Sequence, residues 1–520
     1  MNRSLLVLAL ALGALLRLPQ LEVRPMHTDE AVHGMKFGAL LERGTYAYDR
    51  NEYHGPSLNY LTLMPARLLS QRRVGDVDET TLRIVPALFG IFLILLFPLL
   101  VDIGKSSAAC GALITAISPA LVFFSRYYIQ EMLLVSFTFG FLVSGYRLLV
   151  TGRLAWGISA GVCAGLMHAS KETCLIVFGA VLIALVVTVL ARRGETNPFV
   201  PVRWKHALAV VVSAAVVSVL FFSSFGTHWE GVRDSFLTYQ TYFSRAGASA
   251  GHEHPWYYYL HLLGWWKVGG GTLWTEGAIL LFGAYGIYRA FRGDPAWSAR
   301  KRDLIRFLAA YALTLWLVYS VIPYKTPWSI LGAHHGLIAV AGFGVAQFVG
   351  SLRHFRWKVV ALALVAVAGI HLLWQSYGNS FVSFDEPSNP YVYSHPGGDV
   401  KVIASTVERY AMASAAGKGM PVQVLVTGNE YWPLPWYLRS FSHVGWWGSV
   451  GAEFAPTPVI LASPEMEGQL LLRLYESALH GERLLYVPMF DRQIFLRPGK
   501  EIRGYVTLDL RSSTEKEKPL

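Results

Sequence analysis

Long apolar runs recur along this 520-residue chain from residue 4 to about residue 376, each close to the ~20 residues that a helix needs to cross a bilayer. No water reaches a bilayer core, so every backbone N–H and C=O there must be paired within the chain, and runs of this kind must fold as helices. The expected spans, about eleven by window length, lie near 4–22, 83–103, 107–124, 131–150, 154–169, 174–191, 207–225, 272–291, 306–323, 328–350 and 358–376. Composition agrees: 53% of residues are hydrophobic and 15% charged, with mean hydropathy +0.38, where a soluble domain carries about 25% charge. The fold class is a polytopic α-helical membrane protein.

The net charge of +11 would suit a nucleic-acid binder, but the placement of the basic residues argues against nucleic acid as a partner. They cluster in short loops between apolar runs: Arg192, Arg193, Arg203 and Lys205; Arg292, Arg300, Lys301, Arg302 and Arg306; Arg353, Arg356 and Lys358. Cytoplasmic loops have this character. With Arg3 inside, the odd span count puts all three basic loops inside and the C-terminal region outside. Asn2-Arg3 precedes an apolar run without a small-residue cleavage site, so the first run reads as a retained helix, not a signal peptide. Cys110, Cys163 and Cys174 lie in or beside apolar runs and read as packing residues.

Two long segments are expected outside. In 23–82, Val32, Met35, Leu40 and Leu41 have helical spacing ended by Gly44, and a second such stretch follows Pro56. Both suit helices lying in the interface plane. The segment 226–271 is rich in His, Trp and Tyr, as interface segments often are. The membrane domain is expected over 1–376. Beyond it, a helical pattern at 400–412 and β-runs at 422–427 and 459–462 point to a small extracytoplasmic α/β domain over 377–510. The polar end, 511–520, reads as a disordered tail.

Ionisable residues collect at the outer ends of several spans: Asp29 and Glu30 in His27-Thr28-Asp29-Glu30-Ala31, Arg126 and Glu131, Lys171 and Glu172, His228, and Lys325. Charges near a bilayer core are costly and usually have a partner or a function. One arrangement that fits is a carboxylate base opposite a cationic cradle for a phosphate; group transfer from a lipid phosphate to a hydroxyl needs both. Each residue has a plainer reading as well. Asp29 is placed to cap the helix that follows. Arg126, Lys171 and Lys325 are placed to snorkel to headgroups, and Glu131 and Glu172 to pair with those cations. His252 and His254, and likewise His27, His33 and His54, are weak candidates for a divalent metal site; hydrogen bonding or substrate contact is the simpler role.

Taken in order, these motifs resemble the GT-C glycosyltransferases, especially protein O-mannosyltransferases and aminoarabinose transferases. Asp29-Glu30-Ala31-Val32-His33-Gly34 resembles their acidic first-loop motif. The stretch from Tyr46 to Leu58, with His54-Gly55-Pro56-Ser57-Leu58, is similar to their Y-x-D…H-P-P-L segment, with Gly55 where the first proline is usual. Arg83-Ile84-Val85-Pro86 resembles the entry to their second helix. Ser125-Arg126-Tyr127 with Glu131 resembles S-R-Y-x-x-x-D. His168-Ala169-Ser170-Lys171-Glu172 and Tyr324-Lys325-Thr326-Pro327-Trp328 look like the two lysine-bearing helix ends. The stretch from Gly428 to Arg439 looks like a prokaryotic branch labelled flippase-associated.

The resemblance implies a GT-C-type fold and an enzyme that moves a sugar from a polyprenyl-phosphate donor to a protein, lipid or glycan acceptor. The reaction would take place at the outer face of the plasma membrane, with inversion. It implies Asp29 as base, with Glu30 beside it, and Arg126, Lys171 and Lys325 as phosphate ligands. Glu131, Glu172, His33 and His54 would support them. No cofactor is expected to be required, though a divalent metal stays open. The alternative is a non-catalytic flippase or transporter component for lipid-linked glycans, which would more often show paired repeats with interrupted helices.

Overall fold

The computed structural model describes the chain except for residues 1–2, 52–53, 193–194, 247–250, 452, 477–483 and 517–520. Its helices, in chain order, begin with α1 (Arg3–Arg17), α2 (Thr28–Arg43), α3 (Ser57–Leu68), α4 (Glu79–Leu96), α5 (Lys105–Ile117) and α6 (Pro119–Ser125). There follow α7 (Glu131–Thr151), α8 (Leu154–His168), α9 (Cys174–Ala191), α10 (Trp204–Phe222), α11 (Glu230–Ala246) and α12 (Tyr258–Gly264). Next come α13 (Gly277–Arg292), α14 (Ala299–Val321), α15 (Leu331–Ser351) and α16 (Phe355–Tyr377). The C-terminal part holds α17 (Asp399–Ala413), α18 (Leu434–Tyr437), α19 (Glu467–Leu471) and α20 (Leu508–Lys516).

Every expected span coincides with a helix or, at 107–124, with the pair α5 and α6. Among the described residues, seven helices are long and apolar enough to cross a membrane, or eight if α5 and α6, bent by 55° at Ser118, count as one. The expected count of about eleven therefore stands as helices, but α1, α8 and α13, at 15, 15 and 16 residues, are short for a span. This is a multi-pass membrane protein.

Two compact units make up the chain. The first comprises residues 1–21, 44–65 and 80–393, the second 22–43, 66–79 and 394–520. The division expected at residue 376 thus falls after Tyr393, and much of the first outer segment belongs with the C-terminal part. The tail expected to be disordered from Arg511 is helical to Lys516, because Leu508–Lys516 carries a helix whose Leu510 packs on the domain core; residues 517–520 lie outside the described residues.

In the first unit, small residues set the closest helix approaches. Gly161 and Gly165 of α8 face α10 so closely that a Cβ on Gly161 would lie 2.3 Å from the Val210 carbonyl oxygen. Buried charge fastens the helix ends. Arg17, fully buried, donates to the carbonyls of Ala116 (2.8 Å) and Thr115 (2.9 Å) at the end of α5 and to Ser125 Oγ (3.1 Å). The bend at Ser118 closes on Glu276, whose carboxylate accepts from Ser118 Oγ (2.6 Å), Ala120 N–H (2.8 Å), Tyr391 OH (2.7 Å) and His334 Nε2 (2.9 Å).

In the second unit, β1 (Val422–Leu425), β2 (Val444–Trp447), β3 (Val459–Ala462), β4 (Tyr486–Pro488), β5 (Ile494–Arg497) and β6 (Lys500–Thr507) form one mixed sheet. Its order is β2-β1-β3-β6-β4, with β5 on β6; β1 runs parallel to β2 and β3, and β6 antiparallel to β3. β1 and β3 are buried along their whole length, and β3 accordingly reads as an unbroken apolar run, while Gln423 is the one polar residue in β1. One face packs under Val400, Ile403 and Val407 of α17, the other under Phe454 and Leu470.

Overpacking a close helix crossing costs about 1–3 kcal/mol. Gly161→Val should therefore lower the thermal midpoint of the purified protein in detergent, whereas Gly179→Val, where an added Cβ meets nothing within 4 Å, should leave it unchanged.

Candidate functional site

Four sequence candidates of the first unit, His54, Glu131, Lys171 and Glu172, assemble around the turn between α8 and α9. Lys171 and Glu172 are consecutive there and pair in two directions. Lys171 Nζ forms a buried ion pair with Glu131 at the N-terminus of α7. Glu172 Oε2 lies 2.7 Å from His54 Nδ1, and Tyr48 OH donates to its other oxygen at 3.4 Å. Burial pushes the Glu172 carboxyl up, but His54 and then Lys171 outweigh it and hold it below its ordinary value. Burial, then the neighbouring Glu172 charge, raises the Tyr48 hydroxyl.

The segment carrying His54 is laced to the same turn by Gly55 N–H to the Ser170 carbonyl (3.1 Å), Ser57 N–H to the Ala169 carbonyl (2.9 Å) and a 2.7 Å contact between the Ser57 and Ser170 hydroxyls. A Cβ on Gly55 would stand 2.2 Å from the Ala169 oxygen. That close approach accounts for glycine at this place. Glu52 and Tyr53 of the same motif lie outside the described residues. The Glu131–Lys171 pair also lines a cavity with Thr173, Tyr319 and Trp328.

Arg126 and Lys325 sit apart from that pairing. Arg126 donates to the carbonyls of Arg17 (3.2 Å), Pro19 (2.6 Å) and Gln20 (2.9 Å), just where α1 ends, and lies 4.3 Å over the Phe381 ring. Arg83 adds a bond to the Leu21 carbonyl at 2.7 Å. Lys325 Nζ donates to the His254 carbonyl at 3.0 Å and to that of Ile322. Burial lowers the Lys325 pKa.

The histidines expected as weak metal candidates have other partners. His252 Nδ1 meets Tyr393 OH, and the His254 ring stacks on Tyr258 at 4.1 Å. Burial, then Lys325 and His252, holds His254 below its ordinary pKa. Among the described residues, no group of three or more His, Cys, Asp or Glu side chains is placed to hold a metal ion.

Asp29, Glu30 and His33 belong to the second unit. Glu30 is fully buried; its carboxylate accepts from His27 N–H at 3.1 Å and from Arg24 at 3.3 Å. That is the reciprocal half of a capping box, with His27 as the capping residue and the Ala31 N–H bonded to the His27 carbonyl at 2.9 Å. Asp29 is therefore not the cap. It sits in the first turn of α2 with its side chain 45% exposed, its own N–H bonded to His27 Nδ1 at 3.1 Å. His33 is buried one turn further on.

Sequence reasoning missed Glu276, His334 and Tyr391. The acid directly before an apolar run was a usable signal for Glu276. Nothing local marks Tyr391, which arrives from 115 positions away.

Over residues 54–222, less than half of the chain, the sequence matches the model of the family described as dolichyl-phosphate-mannose-protein mannosyltransferase. The matched stretch contains His54, Arg126, Glu131, Lys171 and Glu172, but neither Asp29 nor Lys325. No curated protein matches the chain. Among solved structures, ArnT from Cupriavidus metallidurans in its apo state aligns over 96% of this chain and 97% of its own, at 15% identity and TM-score 0.61. The same protein bound to undecaprenyl phosphate aligns over 97% and 98%, at 14% identity and TM-score 0.62. The fold is shared with ArnT. It is the GT-C-type fold that the motifs implied, with the small sheet domain at its C-terminal end. Archaeal oligosaccharyltransferase AglB from Archaeoglobus fulgidus, in complex with an inhibitory peptide and a dolichol-phosphate, covers 89% of this chain and 69% of its own, at 13% identity and TM-score 0.54.

Two outcomes test this geometry. Removing one member of a buried ion pair costs about 3–5 kcal/mol, so Lys171→Met should destabilise strongly, and Lys171→Met with Glu131→Gln should recover part of the loss in thermal unfolding. Glu172 has a lowered pKa, so the stability it contributes is fully present above its ordinary value of 4.5 and is lost as the pH falls through its folded value. Melting curves against pH should show that acid loss in the wild type and a smaller one in Glu172→Gln.

Proposed function

We propose that this protein is a glycosyltransferase that moves a sugar from a polyprenyl-phosphate donor to an acceptor hydroxyl at the outer face of the plasma membrane. The observation that carries the reading is the setting of Asp29. Its neighbour Glu30 is buried and occupied by the helix cap, whereas Asp29 presents an exposed carboxylate from a fixed first turn. A carboxylate so placed is suited to take the proton of an acceptor. The fold shared with ArnT supports the lipid-phosphate donor, since one ArnT structure holds undecaprenyl phosphate. The family match over 54–222 supports sugar transfer from such a donor.

In this mechanism the acceptor oxygen attacks the anomeric carbon as Asp29 takes its proton. The bond from that carbon to the phosphate oxygen breaks, and polyprenyl phosphate leaves with the bonding pair. A single displacement inverts the carbon. Lys171, Arg126 and Lys325 are the candidates to stabilise the departing phosphate. Lys171 suits this best: its present partner is a side chain, Glu131, from which a phosphate can draw it away, whereas Arg126 and Lys325 donate to backbone carbonyls. Glu30 holds the Asp29 turn and His33 is a supporting candidate one helical turn on, while Glu131, Glu172 and His54 shape the Lys171 turn.

The test is sugar transfer by purified protein in detergent with a panel of polyprenyl-phosphate sugars and a lipid extract as acceptor. Asp29→Asn should lower turnover by at least about 100-fold, the lower end of what a general base contributes, with unchanged melting and unchanged lipid-phosphate binding. Scrambling of lipid-linked glycan in liposomes that persists in Asp29→Asn, without transfer by the wild type, would overturn the enzyme reading in favour of a flippase component.

A further inference from the structure

The Gly428–Arg439 segment has no part in the chemistry described above, yet it touches the acidic turn. α18 lies within it, and its first residue Leu434 and the following Leu438 are both buried in the core of the sheet domain. From that anchored position Tyr437 OH accepts the N–H of Met26 at 2.8 Å, three residues before Asp29. A second anchor comes from α17, whose Val400 and Ile403 lie in the same core. Between them, Lys401 donates to the carbonyls of Glu22 (2.9 Å) and Val23 (2.6 Å). His395 adds a ring contact to His27, centroids 4.8 Å apart.

The same segment also holds residues 77–79. Arg439 lies 3.8 Å over the Trp436 ring and donates to the Val77 carbonyl at 2.6 and 3.1 Å, and Trp436 Nε1 donates to Glu79 at 2.9 Å. The approach to Asp29, residues 22–27, has no helix or strand of its own. A turn without regular structure loses its ordering entropy to whatever fixes it, and here side chains rooted in a packed core do so.

We propose that Tyr437 and Lys401 are positioning residues for Asp29, so that the C-terminal sheet domain serves to hold the base in register. The activity side of this proposal rests on the reading of Asp29 as base. A base moved by about 1 Å loses on the order of 100-fold in rate, and a residue acting through the base changes kcat without changing donor KM.

The variants are Tyr437→Phe, which keeps the ring and removes the acceptor oxygen, and Lys401→Met, with Lys401→Arg as the conservative rescue. Hydrogen exchange of the full-length protein in detergent, read by mass spectrometry, should show faster exchange of residues 24–30 in Tyr437→Phe and Lys401→Met, wild-type exchange in Lys401→Arg, and unchanged protection of β1 and β3. Unchanged exchange at 24–30 in both variants would overturn the proposal, whatever the activity. In the transfer assay, kcat should fall 10- to 100-fold with donor KM within twofold, and Tyr437→Phe should add nothing in an Asp29→Asn background. Faster exchange with unaltered kcat, in an enzyme that needs Asp29, would sink the positioning role. A wild type that transfers equally well as Asp29→Asn would sink the base assignment instead, and the exchange result would still decide whether the domain holds the turn.

Discussion

A helix that ends or breaks inside an apolar bundle leaves carbonyls and amides unpaired, and in this protein buried charged side chains satisfy them. Arg17 and Arg126 reach carbonyls at the ends of α5 and α1, Glu276 accepts from the first turn of α6 across the 55° bend, and Lys325 bonds the Ile322 carbonyl at the end of α14 and the distant His254 carbonyl. Each unpaired group in such surroundings would cost several kcal/mol. The bundle keeps its short and broken helices because these groups are answered.

That constraint also sorts the candidate site. A cation already bonded to backbone carbonyls holds the architecture first and meets a ligand only with what remains. A cation paired with a side chain, as Lys171 is with Glu131, can exchange its partner without unfolding a helix end. The same logic separates two adjacent acids. Glu30 answers the amide of His27 and the guanidinium of Arg24 and is buried by doing so. Asp29, one residue earlier and about 100° around the helix, keeps an exposed carboxylate.

Much of the fold was legible in the sequence because membrane helices obey a length and hydropathy rule that needs no tertiary information. The α17 helix and strands β1 and β3 were legible for a related reason: buried elements carry unbroken or periodic apolar patterns. Strands β2, β4, β5 and β6 were not. β2, Val444–Trp447, is half-exposed with a central glycine, and β5 and β6 are short or polar-rich hairpin partners whose pairing, not composition, makes them strands. The helical end of the chain was missed because its apolar residues, the exposed Leu508 and the anchoring Leu510, are too few to show a period.

The sequence by itself determined the class of the molecule, the helices, the acidic turn and the residues worth weighing, since hydropathy, charge placement and motif order are written locally. Only the tertiary structure decided what each of those residues is bonded to. It showed that Lys171 and Glu172 pair in opposite directions, that His27 and not Asp29 caps α2, and that the domain at the far end of the chain holds the turn near its start. The first and last of those facts depend on groups brought together across 40 to more than 400 positions, and a side chain's choice of partner, near or far, is set by which donors and acceptors packing leaves within reach.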